Sequence, residues 1–197
     1  MNIPVFLKLN KRFLTLCSLV FVGLMGVISC ASHADDQSKP QAEKLSWTTV
    51  IAGKDEPGDR LRVSGRVLQA DRKTPVAGIV VEVHHTDAQG LYNPKGTGQA
   101  PPRLRARLQT NAQGQYEFHT IQPGPYPDGG NPAHIHFAVY REGEPKQFSE
   151  IFFAGDPNLT EAFYKEMRDE KANYVVKQPV RNNQGVLECT YDIILSH

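Results

Sequence analysis

The chain has 197 residues, 40% of them hydrophobic, and its 22 basic and 21 acidic side chains leave a formal charge of +1. That length and composition suit one globular domain large enough to bury a core. Balanced charge without a basic run excludes the clustered Lys/Arg footprint of a nucleic-acid binder, and 3 cysteines exclude a disulfide framework.

Lys8, Lys11 and Arg12 precede an apolar run from Phe13 to Ile28, the shape of a secretory signal. The run is shorter than the roughly 20 residues that a membrane span wants. Two cleavage points compete. Val27-Ile28-Ser29-Cys30 resembles a bacterial lipobox and would leave Cys30 as a lipidated first residue, while Ser32-His33-Ala34 before Asp35 satisfies the small-residue rule for ordinary cleavage. The lipobox is preferred, because a Cys closing an apolar run is unusual by chance. Residues 1–34 are therefore expected to be a signal peptide, 35–48 a polar tether, and 49–197 the folded domain. The protein is expected to be exported, as a periplasmic or outer-membrane lipoprotein or a secreted protein, touching membrane only through its lipid.

Beyond the tether, β-branched and aromatic runs alternate with turn chemistry. Leu61 to Leu68 alternates and is followed by the turn Asp71-Arg-Lys-Thr-Pro75; Gly78 to His84 is the next strand, ended by Asp87-Ala-Gln-Gly90. Arg103–Thr110 and Gln115–Ile121 flank Asn111-Ala-Gln-Gly114, a hairpin signal with Gly at the left-handed position. Ala133–Tyr140, Glu150–Phe153 and Val186–Leu195 complete the strands, and Cys189 in the last reads as a small buried hydrophobe. One helix is expected from Asn158 to about Glu170, with Asn158 and Glu161 as a capping pair. The fold class is all-β, a β-sandwich with one short helix. Two long Gly/Pro-rich loops, 92–102 and 122–132, interrupt the strand rhythm, and each carries a tyrosine, Tyr92 or Tyr126. Loops this long on a compact sandwich are often functional.

The stretch Pro132-Ala-His-Ile-His-Phe137 follows the second loop. His134 and His136 share one face of a strand, roughly 7 Å apart at ~3.3 Å rise per residue, a common start for a metal site. Further imidazoles stand at His84, His85 and His119. A three-His or four-His set would suit zinc or copper. Two phenolates beside two imidazoles would instead favour a ferric ion, because deprotonating tyrosines with an ordinary pKa near 10 calls for a highly charged cation.

Four fragments in order resemble the intradiol ring-cleavage dioxygenases, most of all the protocatechuate 3,4-dioxygenase branch. They are Gly78-Ile-Val-Val-Glu-Val-His-His-Thr-Asp-Ala-Gln-Gly-Leu-Tyr92, Gln109 to Pro127, Pro132-Ala-His-Ile-His-Phe137 and Ile151-Phe-Phe-Ala-Gly-Asp-Pro157. The resemblance implies a sandwich holding non-haem Fe(III) through Tyr92, Tyr126, His134 and His136. Tyr126 would be the catalytic tyrosinate that leaves the iron when a catechol chelates it. Substrates would be a small aromatic diol and O2, and the product a muconate-type diacid; oligomers are compatible with the family pattern. Three positions around the ligands depart from that pattern. Asn131 stands where the family usually has Arg, His84 where it commonly has Trp, and Glu150 where it has Gln. The loop from Tyr126 to His134 is also short. Arg103, Arg105 or Arg107 is a candidate to replace the missing arginine. Two other readings stand beside the enzyme: a non-catalytic metal- or ligand-binding lipoprotein on the same sandwich, and a zinc or copper site made from His84, His85, His134 and His136.

Overall fold

In the computed structural model, residues 44–93, 100–141, 144–170 and 173–196 are described. The expected signal peptide, Cys30 and most of the tether lie outside them. No helix among the described residues is long and apolar enough to cross a membrane.

Eleven strands and one helix follow one another as β1 (Thr48–Val50), β2 (Arg60–Leu68), β3 (Val80–His85), β4 (Leu104–Gln109), β5 (Gln115–Ile121), β6 (His134–Arg141), β7 (Glu144–Phe153), α1 (Glu161–Asp169), β8 (Tyr174–Lys177), β9 (Val180–Arg181), β10 (Leu187–Thr190) and β11 (Ile193–Ile194). They form two mixed sheets. One runs β1-β5-β2-β10-β9, with β11 also on β2; the other runs β4-β3-β6-β7-β8. The all-β sandwich with one short helix is what the alternation predicted.

The core lies between the sheets, because each strand turns its apolar alternate residues inward. Val63 and Phe118 from the first sheet meet Val83, Phe137 and Ile151 from the second, all at most 1% exposed. Phe137 is the hub, its ring 6.1 Å from Phe118, 6.2 Å from Tyr116 and 5.1 Å from Tyr191. Cys189 is a free thiol buried in this core.

Several boundaries differ from the sequence expectation for local reasons. Pairing begins inside the expected tether: Gln109 N donates to Ser46 O and Glu117 N to Trp47 O before β1 itself starts. The predicted last strand is broken in two at Tyr191-Asp192, where Gly65 of β2 lies against the backbone; a Cβ there would sit 1.8 Å from Tyr191 O. The helix starts later than predicted. Its N-cap is Thr160, whose hydroxyl accepts from Phe163 N at 3.2 Å, so Asn158 and Glu161 are not the capping pair. Asn158 instead closes a turn, its N–H donating to Asp156 Oδ1. The Asn111–Gly114 turn is as expected, with Gly114 at φ 69° and Asn111 Oδ1 accepting from Gln113 N and Gln115 N.

Candidate metal centre

Register places the outward side chains of the second sheet in rows across the strands. Arg105 lies beside His84, His84 beside His136, and His136 beside Glu150. This row faces away from the core, and on it sits a cluster of four donor groups. Tyr92 arrives from the turn after β3, Tyr126 from the loop after β5, and His134 and His136 from β6.

The donor atoms converge. Tyr92 Oη lies 2.6 Å from Tyr126 Oη and 2.8 Å from His136 Nε2. His134 Nε2 lies 2.9 Å from His136 Nε2 and 3.5 Å from Tyr126 Oη. The far nitrogens are both engaged with acceptors. His134 Nδ1 donates to Pro132 O at 2.6 Å, and His136 Nδ1 donates to the Glu150 carboxylate at 2.7 Å. Those partners fix which nitrogen carries the proton: in its neutral form each ring turns an Nε2 lone pair toward the centre. Two lone pairs facing each other at 2.9 Å repel unless a cation lies near. The donor set therefore fits a metal ion.

Electrostatics around the cluster agree. Burial lowers the pKa of His134 despite its Pro132 hydrogen bond, keeping the ring neutral as a ligand requires. Burial, then the Tyr126 hydrogen bond, pushes the Tyr92 hydroxyl far above its ordinary value, and burial also raises Tyr126. A phenolate at either site thus needs a strong positive charge beside it. Burial alone would raise the Glu150 carboxyl, but the hydrogen bond from His136 and the neighbouring imidazoles carry it below the usual value.

His134, His136 and Glu150 also bring one ligand atom each within 4.8 Å of one another. Glu150, however, bonds the Nδ1 side of His136, behind the ring. Its position suits a group that orients His136 better than a direct ligand. His84 stacks on His136 with ring centroids 4.5 Å apart and planes at 20°; burial and then the His136 charge lower its pKa to about 4.

The alternative built on four histidines is not formed. His85 points into the core, its ring nitrogens 2.7 Å from Thr86 O and 2.7 Å from Thr120 Oγ1. Side chains alternate along a strand, so adjacent His84 and His85 cannot serve one centre. His119 is on the other sheet, paired with Glu117 at 2.9 Å.

The arginines are placed as follows. Arg103 grips Glu56 at 2.6 and 2.7 Å and Asp87 at 3.1 Å. Arg107 pairs with Glu82 at 3.5 Å and lies 5.0 Å from the centre of the Tyr140 ring. Arg105 and Arg107 are both exposed on the face of the His row, and Arg105 is the one that lies beside His84 in register. Asn131 is exposed at the rim, its carbonyl accepting from Tyr126 N at 3.1 Å and so closing the tyrosine loop.

Sequence reasoning missed the parts that fix the two tyrosine loops. Asp87 Oδ1 accepts from Gln89 N and Leu91 N, holding the turn that presents Tyr92. Gly90, buried at φ 80°, lies against the other loop, and a Cβ there would be 1.9 Å from Pro125 O. Gly124 N donates to Asp87 O at 2.8 Å, and a Cβ on Gly124 would reach Ala88 O at 2.4 Å. The signal was an Asp-x-x-Gly turn ending two residues before a tyrosine. Asp156 does the same for β6, its Oδ2 accepting from Ala133 N at 2.8 Å just before His134.

A cavity of about 440 Å³ opens against His134 and His136, between the outer sheet face and α1. Phe152 links the two, its ring 5.3 Å from His134 and 4.9 Å from Phe163 of the helix.

Comparison with known proteins bears on this arrangement. A family model described as "Dioxygenase" matches residues 37–197. The chain belongs to the intradiol dioxygenase family. Catechol 1,2-dioxygenase 1 of Acinetobacter lwoffii is 33% identical over 156 residues, covering 70% of this chain and 50% of that protein. The protocatechuate 3,4-dioxygenase beta chain of Burkholderia cepacia is 38% identical over 113 residues, 52% of this chain and 48% of that one. Catechol 1,2-dioxygenase of Acinetobacter sp. ADP1 superposes with a TM-score of 0.58 at 26% identity, over 77% of this chain and 57% of that structure. The chain spans about half the length of the relatives it matches.

Proposed function

We propose that this chain is a non-haem iron(III) intradiol dioxygenase that opens a catechol-type ring with O2 between its two hydroxyl-bearing carbons, giving a muconate-type diacid. The observation that carries this reading is the convergence of Tyr92, Tyr126, His134 and His136 through contacts of 2.6–3.5 Å in a chain of this family.

Those four side chains would hold the metal. Bound iron(III) supplies Lewis acidity that draws electron density from a catecholate and makes its ring reactive toward O2. The protein's own groups do the rest. Glu150 holds the proton on His136 Nδ1 and Pro132 O holds that on His134 Nδ1, so both rings offer Nε2. Tyr126 is the half-buried ligand on an irregular loop, and its phenolate oxygen is the natural acceptor for a catechol proton. The cavity beside the histidines, walled by Phe152 and Phe163, excludes water from the ring's faces.

The test is metal analysis with a visible spectrum, before and after adding catechol, and O2 uptake with identification of a ring-opened diacid. Iron with tyrosinate charge-transfer colour, shifted by catechol, and stoichiometric O2 uptake are expected. A colourless zinc protein would overturn the reading.

Asn131, at the cavity rim where the family usually has arginine, favours a second reading: a coloured binding protein that takes up no O2 with any catechol. Export also belongs to the proposal, supported by the Lys8–Ile28 pattern. Cell fractionation and lipid labelling, with Cys30→Ser as control, test it; a cytoplasmic, unlabelled product would refute export.

A further inference from the structure

We infer that the cavity beside the metal centre selects catechols bearing a cationic substituent and rejects those bearing a carboxylate; this rests on the dioxygenase reading of the same site. Four carboxylates line the cavity, Glu82, Glu150, Glu166 and Glu170, and the described lining contains no Lys or Arg. Carboxylates alone would mark no site. Here they ring a cavity that His134 and His136 also line, so the substituent of an aromatic diol seated at the centre would extend among them.

The four are not equivalent. Glu150 is bonded to His136 and Glu82 is shared with Arg107, which reduces their effect on a ligand. Glu166 of α1 and Glu170, its C-cap, stand one turn apart on the cavity side, and the ion pairs of that helix, Lys165–Asp169 and Arg168–Glu161, use other side chains. The cavity also faces the C-terminal half of α1, where the helix dipole adds negative potential. On the centre's own side the rim residue is the uncharged Asn131, while Arg105, beside His84, and Arg107, engaged with Glu82, lie outside the cavity lining.

The remaining wall suits the carbon skeleton of such a ligand. Ala138, Phe148, Phe152, Phe163 and Met167 give an apolar lining, and the cavity's roughly 440 Å³ exceeds the need of a bare catechol ring while matching a ring with a short side chain. An arylalkylamine catechol would place its rings and methylenes on this lining and its ammonium toward Glu166 and Glu170. A catechol carboxylate of equal length would bring a like charge to the same place.

The experiment is a spectral titration of the iron-loaded protein with three ligands: catechol, 3,4-dihydroxyphenethylamine and 3,4-dihydroxyphenylacetate. The amine is expected to bind about tenfold tighter than the acid at low salt, the gap narrowing to a few-fold near about 0.5 M salt, as expected for partly screened charges. In the double variant Glu166→Gln/Glu170→Gln, whose changed side chains are exposed, the gap is expected to close to about twofold. Equal affinities, tighter binding of the acid, or a preference unchanged in the double variant would overturn the inference. Unsubstituted catechol separates the two levels. If it shifts the spectrum while the amine shows no advantage, only the charge preference falls; if it shifts nothing, the dioxygenase reading falls and takes the preference with it.

Discussion

On β3, two neighbouring histidines meet different surroundings. His85 points inward, where a carbonyl and a hydroxyl occupy both ring nitrogens. His84 points outward and lies against His136, part of a group whose Nε2 atoms face one another. The same contrast separates the two faces of the sheet β4-β3-β6-β7-β8. Inside, Phe137 and Ile151 pack and nearly every polar atom is satisfied. Outside, the histidines are held from behind with their Nε2 atoms facing each other. A satisfied polar group reports stability, whereas one oriented toward a like lone pair reports a binding site.

Substitutions on the two faces should therefore fail differently. Phe137→Ala, at the hub of the inner face, is expected to cost about 3–5 kcal/mol of unfolding free energy, read by denaturant melts of the metal-free protein. Gly90→Ala crosses the divide. It meets Pro125 O and a left-handed backbone, so it should cost about 2–4 kcal/mol and also displace Tyr92, lowering iron content in the same preparation. On the outer face, His136→Ala should leave the melt of the metal-free protein within about 1 kcal/mol while abolishing colour and stoichiometric iron. A large loss of stability there would collapse the distinction between the faces.

Much of this was legible from residue pattern. The alternation in Leu61–Leu68, Gln115–Ile121 and Ala133–Tyr140 comes from one face meeting a core, so β2, β5 and β6 were read nearly to the residue. Strands β8 and β9 were missed because they are short, with no fully buried residue to set a period. The first part of β7 was missed because Glu144–Gln147 has no apolar alternation and contains the register shift opposite Val139 and Tyr140. Tyr92, Tyr126, His134 and His136 could be named from motif order, and the structure brings all four together. What sequence could not supply is direction. Only register shows that Glu150 stands behind His136 and that His85 turns from His84. Nothing in the sequence marks Glu166 and Glu170, whose place on the cavity wall comes from the packing of α1.

Two smaller tests sharpen the contrast. Glu150→Ala should weaken iron binding about 10- to 100-fold, the usual cost of removing a carboxylate behind a ligand imidazole. Glu150→Gln, which keeps an acceptor for His136 Nδ1, should lose less; equal losses would show that charge rather than orientation matters. The last test belongs to the inner face. Burial first of all lowers the pKa of His85 to about 4, below its unfolded value near 6.5. The unfolded chain then binds the extra proton, so stability falls as pH drops from about 6.5 toward 4, by up to about 1.4 kcal/mol per pH unit. Denaturant melts of the metal-free protein across that range should show a slope to which His84 and His134 also contribute, and His85→Gln should reduce it by one histidine's share.

The crossing of the two tyrosine loops at Gly90 and Pro125 has a thermodynamic consequence. The side chains that would hold an ion come from three chain segments, with Tyr92 and His136 separated by 44 positions, so an unfolded chain has no ready-made site. An ion that binds there binds the native state almost alone, and mass action converts its affinity into resistance to unfolding: about 4 kcal/mol when free metal exceeds the dissociation constant a thousandfold. The melting temperature of this protein should then rise with metal concentration, and a chelator should lower it without breaking a covalent bond.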